Sequence, residues 1–333
     1  MKPRSLFTAI CCSLALAACA TDDVSDDIDD SPDATPDAIE DIAANDVDPA
    51  VLDTALVVTP TGLVDRDCVQ AIGTGELVDE NGTVTRTDGT TYTLPPCAGD
   101  TMPLRAEILQ GVADADAGIE KTNSDIEPTD NGWIEAAWWH APRWMKHMSG
   151  NFVVPPAPSN KGSQTIFFFP SFEPHAGNAI IQPVLQWGSS AAGGGKYWAI
   201  ASWYVGAHRT VHGPLKRVNV GDKLAGTIAG AACTSGGKCT WTITTKDTTH
   251  SATSQIKVKT GEVYTEVQGG VLEAYSVDHC NKYPSNGVEA FFNLAVKDGA
   301  GHAVTPHFSK MFWHTTCHES QVVGPKTVFL NWN

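Results

Sequence analysis

From Trp133 onward, short apolar runs recur along the chain, separated by Gly, Pro, Asn and Asp. The runs are 152–155, 164–169, 180–187, 197–205, 223–229, 240–245, 255–258, 270–277 and 288–296. They are rich in Val, Ile, Thr, Phe, Tyr and Trp and carry scarcely any helical period. Many short strands at this spacing predict an all-β fold, an antiparallel two-sheet β-sandwich. Strand alternation then assigns faces. Gln182, Val184 and Gln186 share one face, and so do Glu273, Tyr275 and Val277. Tyr197, Ala199, Ala201 and Trp203 share a face, with Trp198, Ile200, Ser202 and Tyr204 on the other. Pro183 interrupts its run and predicts an edge strand or a bulge there.

The sandwich is expected over residues 131–333, preceded by a small accessory or propeptide-like region over 51–130. Within that region two turn signals, Glu80-Asn81-Gly82 and Thr87-Asp88-Gly89, flank Thr83–Arg86, with Thr91–Leu94 beyond. This reads as a small hairpin. Leu104, Ile108, Leu109 and Val112 fall near one face of a predicted helix over 104–120, and 121–131 is polar and linker-like.

Residues 1–19 read as an export signal: Lys2 and Arg4, then a short apolar core from Phe7 to Ala18, too short to span a bilayer. The segment ends in Leu16-Ala17-Ala18-Cys19, which resembles the bacterial lipobox. That resemblance implies lipidation of Cys19 and anchoring at a bacterial outer membrane or cell surface; each buried methylene adds about 0.8 kcal/mol. The alternative is an ordinary cleaved signal. Residues 21–50 hold eleven Asp, one Glu and no Lys or Arg, so a disordered tether is expected over 20–50. The tether carries −12 and the signal +2, so the whole-chain charge of −16 leaves −6 for residues 51–333. The tether lacks the Gly-turn spacing of a calcium loop. With no basic stripe, nucleic acid is not an expected partner.

Six cysteines remain after Cys11, Cys12 and Cys19 are set aside: Cys68, Cys97, Cys233, Cys239, Cys280 and Cys317. An even number in an exported chain predicts disulfides. Six cysteines allow fifteen pairings, of which we favour the sequential one, Cys68–Cys97, Cys233–Cys239 and Cys280–Cys317. The Cys233-to-Cys239 segment reads as a stapled hairpin tip.

Gln186 and Glu273 are polar residues inside apolar strand-like runs, where a polar group needs a partner or a purpose. An ionised Glu273 takes a proton from water and returns it to a leaving amine. The carboxamide of Gln186 donates to the oxyanion that forms, a contribution of about 3 kcal/mol. A neutral donor beside the acid avoids the repulsion of two carboxylates. Gln182 substitutes for Gln186 if a bulge shifts the register. Trp203, Tyr275 and Tyr197 either line a cleft or pack a core. The competing reading is that both polar residues are ordinary hydrogen-bonded strand positions.

Five motifs together resemble the glutamic peptidase (eqolisin) family, over roughly residues 149–280. Ser149-Gly150-Asn151-Phe152-Val153-Val154-Pro155 is similar to the family's opening strand. Leu185-Gln186, with Gly188 two residues on, resembles the segment carrying its catalytic Gln. Tyr197 and Ala199, followed by Trp203-Tyr204, resemble its aromatic strand. Val220-Gly221-Asp222 resembles its Gly-Asp turn, and Leu272-Glu273 the strand carrying its catalytic Glu. The resemblance implies a concanavalin A-like sandwich, an endopeptidase with Gln186 and Glu273 as its catalytic pair, metal-free chemistry with no cofactor, and a polypeptide substrate. Ala274 stands where the family has Trp, and Val205-Gly206 ends the strand that in the family carries an acid and a Pro.

Other chemistry is weakly supported. His302, His307, His314 and His318 cluster near Cys317 and Glu319, and His208 and His212 are four apart, but no His-Glu-x-x-His occurs and no metal is expected. Ser235 and Lys238 match Ser-x-x-Lys inside a Gly-rich tip. There is no nucleophile elbow, phosphate loop or dinucleotide fingerprint. The expected molecule is a monomer touching the membrane through its lipid alone. The rival functions are a carbohydrate- or protein-binding sandwich, in which the Gln–Glu pair would lie apart or buried, and a purely structural surface lipoprotein.

Overall fold

The computed structural model describes residues 56–97 and 130–333. The export signal with Cys19, the tether and the 104–120 helix lie outside the described residues. All described residues belong to one unit, Pro49–Asn333. Their strands, in chain order, are β1 (Leu56–Thr59), β2 (Gly62–Asp65), β3 (Val69–Ala71), β4 (Leu77–Val78), β5 (Thr83–Thr85), β6 (Thr91–Thr93), β7 (Asp130–His140), β8 (Met145–Val153), β9 (Thr165–Pro174), β10 (Ala179–Ser190) and β11 (Gly193–Gly206). There follow β12 (Arg209–His212), β13 (Lys216–Arg217), β14 (Lys223–Ala231), β15 (Thr240–Asp247), β16 (Thr253–Lys259), β17 (Tyr264–Val277), β18 (Val288–Asp298), β19 (Ala303–Val304), β20 (Ser309–Phe312), β21 (Ser320–Gly324) and β22 (Thr327–Asn331). Helical structure among the described residues is limited to the turns Arg66–Cys68 and Cys280–Lys282. No described helix is long and apolar enough to cross a membrane.

The strands form two large sheets. Sheet I runs β20-β7-β17-β9-β10-β11-β12-β3, with β13 beside β11; sheet II runs β21-β22-β18-β8-β14-β15-β16-β4-β5-β6, with β19 beside β18. Each of the nine runs overlaps a strand, although β8 ends at Val153 and β9 begins at Thr165. The small hairpin is β5–β6, and residues 69–93 add short strands to both sheets.

The two sheets read differently because their faces are covered differently. In sheet II, β14, β15 and β16 alternate buried and exposed, as one-sided packing requires. In sheet I, all ten residues of β9 and the first ten of β10 are buried. Two clusters fill the space between the sheets: Phe168, Trp198 and Leu272 meet Phe152, Phe291 and Trp332 at one end, and Phe172 and Ile181 meet Trp241, Ile243 and Ile256 at the other. A third cluster covers the far face of sheet I, with Trp133, Phe167, Phe169, Val184, Trp203, Val271 and Tyr275. Sheet I is therefore the middle layer, and its near-continuous apolar runs follow from burial on both sides.

Two sequence expectations need correction. Pro183 lies in an interior strand, since β10 pairs with both β9 and β11, and the bulge falls at Trp187/Gly188 instead. The β9–β10 register puts Pro170 opposite Pro183, with pairing on either side at Ile181↔Phe172 and Leu185↔Phe168. Two residues without N–H groups face each other, so one ladder step is lost rather than two. Val277 does not share the face of Glu273 and Tyr275. Ser276 takes φ 57° and the register slips between Ala274 and Val277, which sends Val277 into the core between the sheets. The three disulfides are Cys68–Cys97, Cys233–Cys239 and Cys280–Cys317, the sequential pairing.

Candidate active site

One row of sheet I runs straight across five strands: Trp133 on β7, Glu273 on β17, Phe167 on β9, Gln186 on β10 and Ala199 on β11. Directly opposed residues of antiparallel neighbours point to the same face. Gln186 and Glu273 therefore project from one face, with the Phe167 side chain between them on that face. Two strand spacings separate their backbones by about 10 Å. The face is the outer one of sheet I, away from sheet II.

Glu273 is fully buried. The hydroxyl of Tyr275, two residues along the same face, donates to its Oε1 at 2.5 Å. Burial pushes the Glu273 carboxyl up to about 8; the Tyr275 hydroxyl and then the Thr61 backbone amide pull it back, and the charge of Glu173 adds a smaller upward push. Burial, and then the neighbouring Glu273, hold the Tyr275 phenol well above its ordinary range. Glu273 is therefore mostly a neutral acid at pH 7 in this covered state.

Gln186 is equally buried, and its own hairpin takes up its carboxamide. Its Nε2 donates to Gly188 O at 2.7 Å and to Gly193 O at 2.8 Å, and its Oε1 accepts from Ser190 Oγ at 2.8 Å. The loop closes this tightly because of glycine: a Cβ at Gly194 would lie 2.2 Å from Gly188 O and 2.5 Å from Gln186 Nε2. Gly194 also has φ 121°, a conformation that side chains resist.

The expected open groove is closed. The hairpin β1–β2 lies over this face. Gln182, four residues from Gln186 on the same side, donates from Nε2 to Pro60 O at 2.5 Å. The Ala191 N–H donates to Val58 O at 2.8 Å, and within the turn the Thr61 N–H donates to Thr59 O at 2.9 Å. Val58 and Val69 pack on the third cluster. Thr59 and Thr61, which flank Pro60, are themselves buried. Beside the Gln186 loop the hairpin leaves a cavity of about 410 Å³, lined by Val57, Val58, Arg66, Val69, Ser189–Ala191 and Gly193.

The other candidates separate. Trp203 is buried opposite Gln182 and packs on His212 at 4.9 Å between ring centres, so it belongs to the cluster under the hairpin. Tyr197 is half-buried near the start of β11, with the Arg217 guanidinium 4.7 Å above its ring. Of the late histidines, His302 lies 3.9 Å from Asp298 and His307 packs against Trp139.

Comparison with family models gives no match, and comparison with curated proteins gives none. Among solved structures the chain is similar to scytalido-glutamic peptidase with a peptide-based transition state analog, at 13% identity and a TM-score of 0.44. It is also similar to scytalido-glutamic peptidase with a transition state analog inhibitor, at 13% and 0.43. A third is SCP-B, a member of the eqolisin family of peptidases, in a complex with the tripeptide Ala-Ile-His, at 13% and 0.42. Each match covers 60% of this chain and 98% of the other. The chemistry of the site stands on its own residues.

Sequence reading missed the cover. Leu56-Val57-Val58 and Leu63-Val64 flank Thr59-Pro60-Thr61-Gly62, a turn signal between two apolar stretches that spells a hairpin. It also missed His140, His175 and Glu266, a cluster assembled from two neighbouring strands of sheet I and the turn after β9.

Proposed function

We propose that this chain is a glutamic-type endopeptidase, exported and lipid-anchored through Cys19, and latent while hairpin β1–β2 covers its catalytic pair. The observation that carries the reading is the row Glu273–Phe167–Gln186, an acid and a carboxamide on one face across a single strand. The lipobox-like Leu16–Cys19 segment and the acidic tether support the anchored placement.

The chemistry follows from the two groups. With the hairpin withdrawn, water reaches Glu273 and its desolvation is relieved. The carboxyl then falls from about 8 toward its ordinary value near 4.5 and ionises. The carboxylate takes a proton from water, and the resulting hydroxide attacks the peptide carbonyl carbon. Gln186, released from Gly188 and Gly193, donates an N–H to the developing oxyanion. The proton on Glu273 passes to the leaving nitrogen as the C–N bond breaks. The cover thus acts in two ways: it fills the space a substrate needs, and it keeps the base protonated.

Casein digestion from pH 3 to pH 7 tests this. We expect cleavage that grows when the hairpin is loosened, as by Val58→Asp, and that falls by about 10²–10⁴ in Glu273→Gln. Unchanged cleavage by Glu273→Gln rejects it as the base. No cleavage by the native or loosened chain at any pH leaves a non-catalytic binding sandwich.

A further inference from the structure

At the far end of the same face, three metal-ligating side chains converge on one point. Glu266 on β17 is directly opposite His140 on β7, and on its other side opposite Glu173, two residues before His175. His140 Nδ1 is 2.6 Å from Glu266 Oε1, and His175 Nδ1 is 2.9 Å from the same oxygen. The two imidazole rings are 5.1 Å apart. Trp138 Nε1 donates to the other oxygen, Oε2, at 2.9 Å. The carboxylate is therefore fixed by an indole behind it and aims Oε1 at both rings. Its side chain is 6% exposed, while those of His140 and His175 are 61% and 81% exposed.

We infer that His140, His175 and Glu266 form a site for a divalent first-row cation, zinc foremost. Two imidazoles and one carboxylate are a donor set of intermediate softness that suits zinc, and three protein ligands leave a fourth position for water. Bonds of about 2.1 Å place tetrahedral ligand atoms about 3.4 Å apart, and the three atoms here lie within 4.8 Å of one another. The shorter nitrogen–oxygen separations open to that spacing by rotation of the two exposed rings, while Glu266 stays where Trp138 holds it. Trp138 plays the part that a hydrogen-bonding group behind a metal ligand commonly plays. The cation offsets the charge of a nearly buried carboxylate and ties β7 and the segment after β9 to β17. The proposed peptidase chemistry does not use it, and either reading stands without the other.

A second cluster marks the contrast. Asp222, Asp247 and His250 also converge. There, however, Asp222 Oδ2 accepts from the Asn219 backbone N–H at 2.7 Å, and Asp247 Oδ1 accepts from the N–H groups of Thr249 and His250 at 2.7 and 3.1 Å. Those carboxylates serve as turn caps.

The test is titration of the untagged full chain, stripped with chelator, with Zn²⁺ and with Co²⁺, read by bound-metal analysis and the visible absorption of cobalt. One tight equivalent is expected, with a rise in Tm on zinc addition. The double variant His140→Ala/His175→Ala should lose at least 100-fold in affinity and the Tm response. Trp138→Phe should lose about tenfold, and His250→Ala nothing. Removing both rings leaves Glu266 Oε1 without its two partners, so Tm without metal should fall modestly in the double variant, and a cooperative transition shows that it folds. Equal metal uptake by the native chain and the double variant overturns the site. So does loss of the tight equivalent in His250→Ala alone.

Discussion

At the scale of single residues, Glu273 illustrates how environment sets chemistry. Under the hairpin the carboxyl is mostly a neutral acid near pH 7, and the proposed role as a base requires water to reach it. Tyr275 tunes it, because a hydroxyl donating to the carboxylate favours the ionised form. Tyr275→Phe is expected to move the acid limb of the cleavage–pH profile upward by about one unit, measured as kcat/KM against pH; an unmoved limb would separate Tyr275 from the acid's ionisation. Gln186 depends instead on glycine. Gly194→Ala should cost about 2–3 kcal/mol in denaturant unfolding, because the new methyl meets backbone at Gly188. Both polar residues were legible in the sequence as misfits in apolar strands. That their shared face is covered was not legible, because the covering residues are more than a hundred positions upstream.

At the scale of elements, legibility followed how each strand is buried. The one-sided strands of sheet II announce themselves by alternation, and the two-sided β9 and β10 by near-continuous apolar runs. Strand β7 was not singled out: Glu135 and an Ala pair break its pattern, although Ile134, Glu135, Ala136, Ala137 and Trp138 are all buried. The face of Val277 was misread because parity counting assumes an unbroken pleat, and Ser276 breaks it. The disulfides are the sequential pairs favoured among the fifteen possible, and Cys68–Cys97 tethers the chain just beyond hairpin β1–β2. That hairpin is the element on which the proposed latency depends. It touches sheet I through few hydrogen bonds, chiefly Ala191 N–H to Val58 O and the Gln182 side chain to Pro60 O. Protease nicking or amide exchange should therefore open 56–65 well before the strands of sheet I. Exchange as slow there as in β9 would argue for a permanent part of the sandwich rather than a cover.

At the scale of the whole molecule, buried acids set the pH dependence of stability. Burial pushes Glu135 up to about 9, against the pull of the Gln321 side chain, and holds Glu289 well above its ordinary range. With Glu273 near 8, the native chain keeps protons that the unfolded chain releases above about 4.5. More protons on the native state means that stability falls as pH rises through this window. Half-buried His147 and buried His212, held below their ordinary range, act in the opposite sense around pH 6. The clean window is thus pH 7 to 8.5, where Tm should fall with rising pH. Glu135→Gln should remove up to about 1.4 kcal/mol per pH unit of that slope; a Tm that is flat or rising there would contradict the burial of these acids as neutral groups.

The central claim is that Gln186 and Glu273 act together on one substrate carbonyl over Phe167. A double-variant cycle on casein cleavage tests it most directly, comparing the native chain with Gln186→Ala, Glu273→Gln and both changes together. Groups that serve one transition state fail together, so each single change should slow cleavage by at least about 10²-fold and the double variant should be no slower than Glu273→Gln alone. Losses that multiply, or a single variant that cleaves at the native rate, would contradict it.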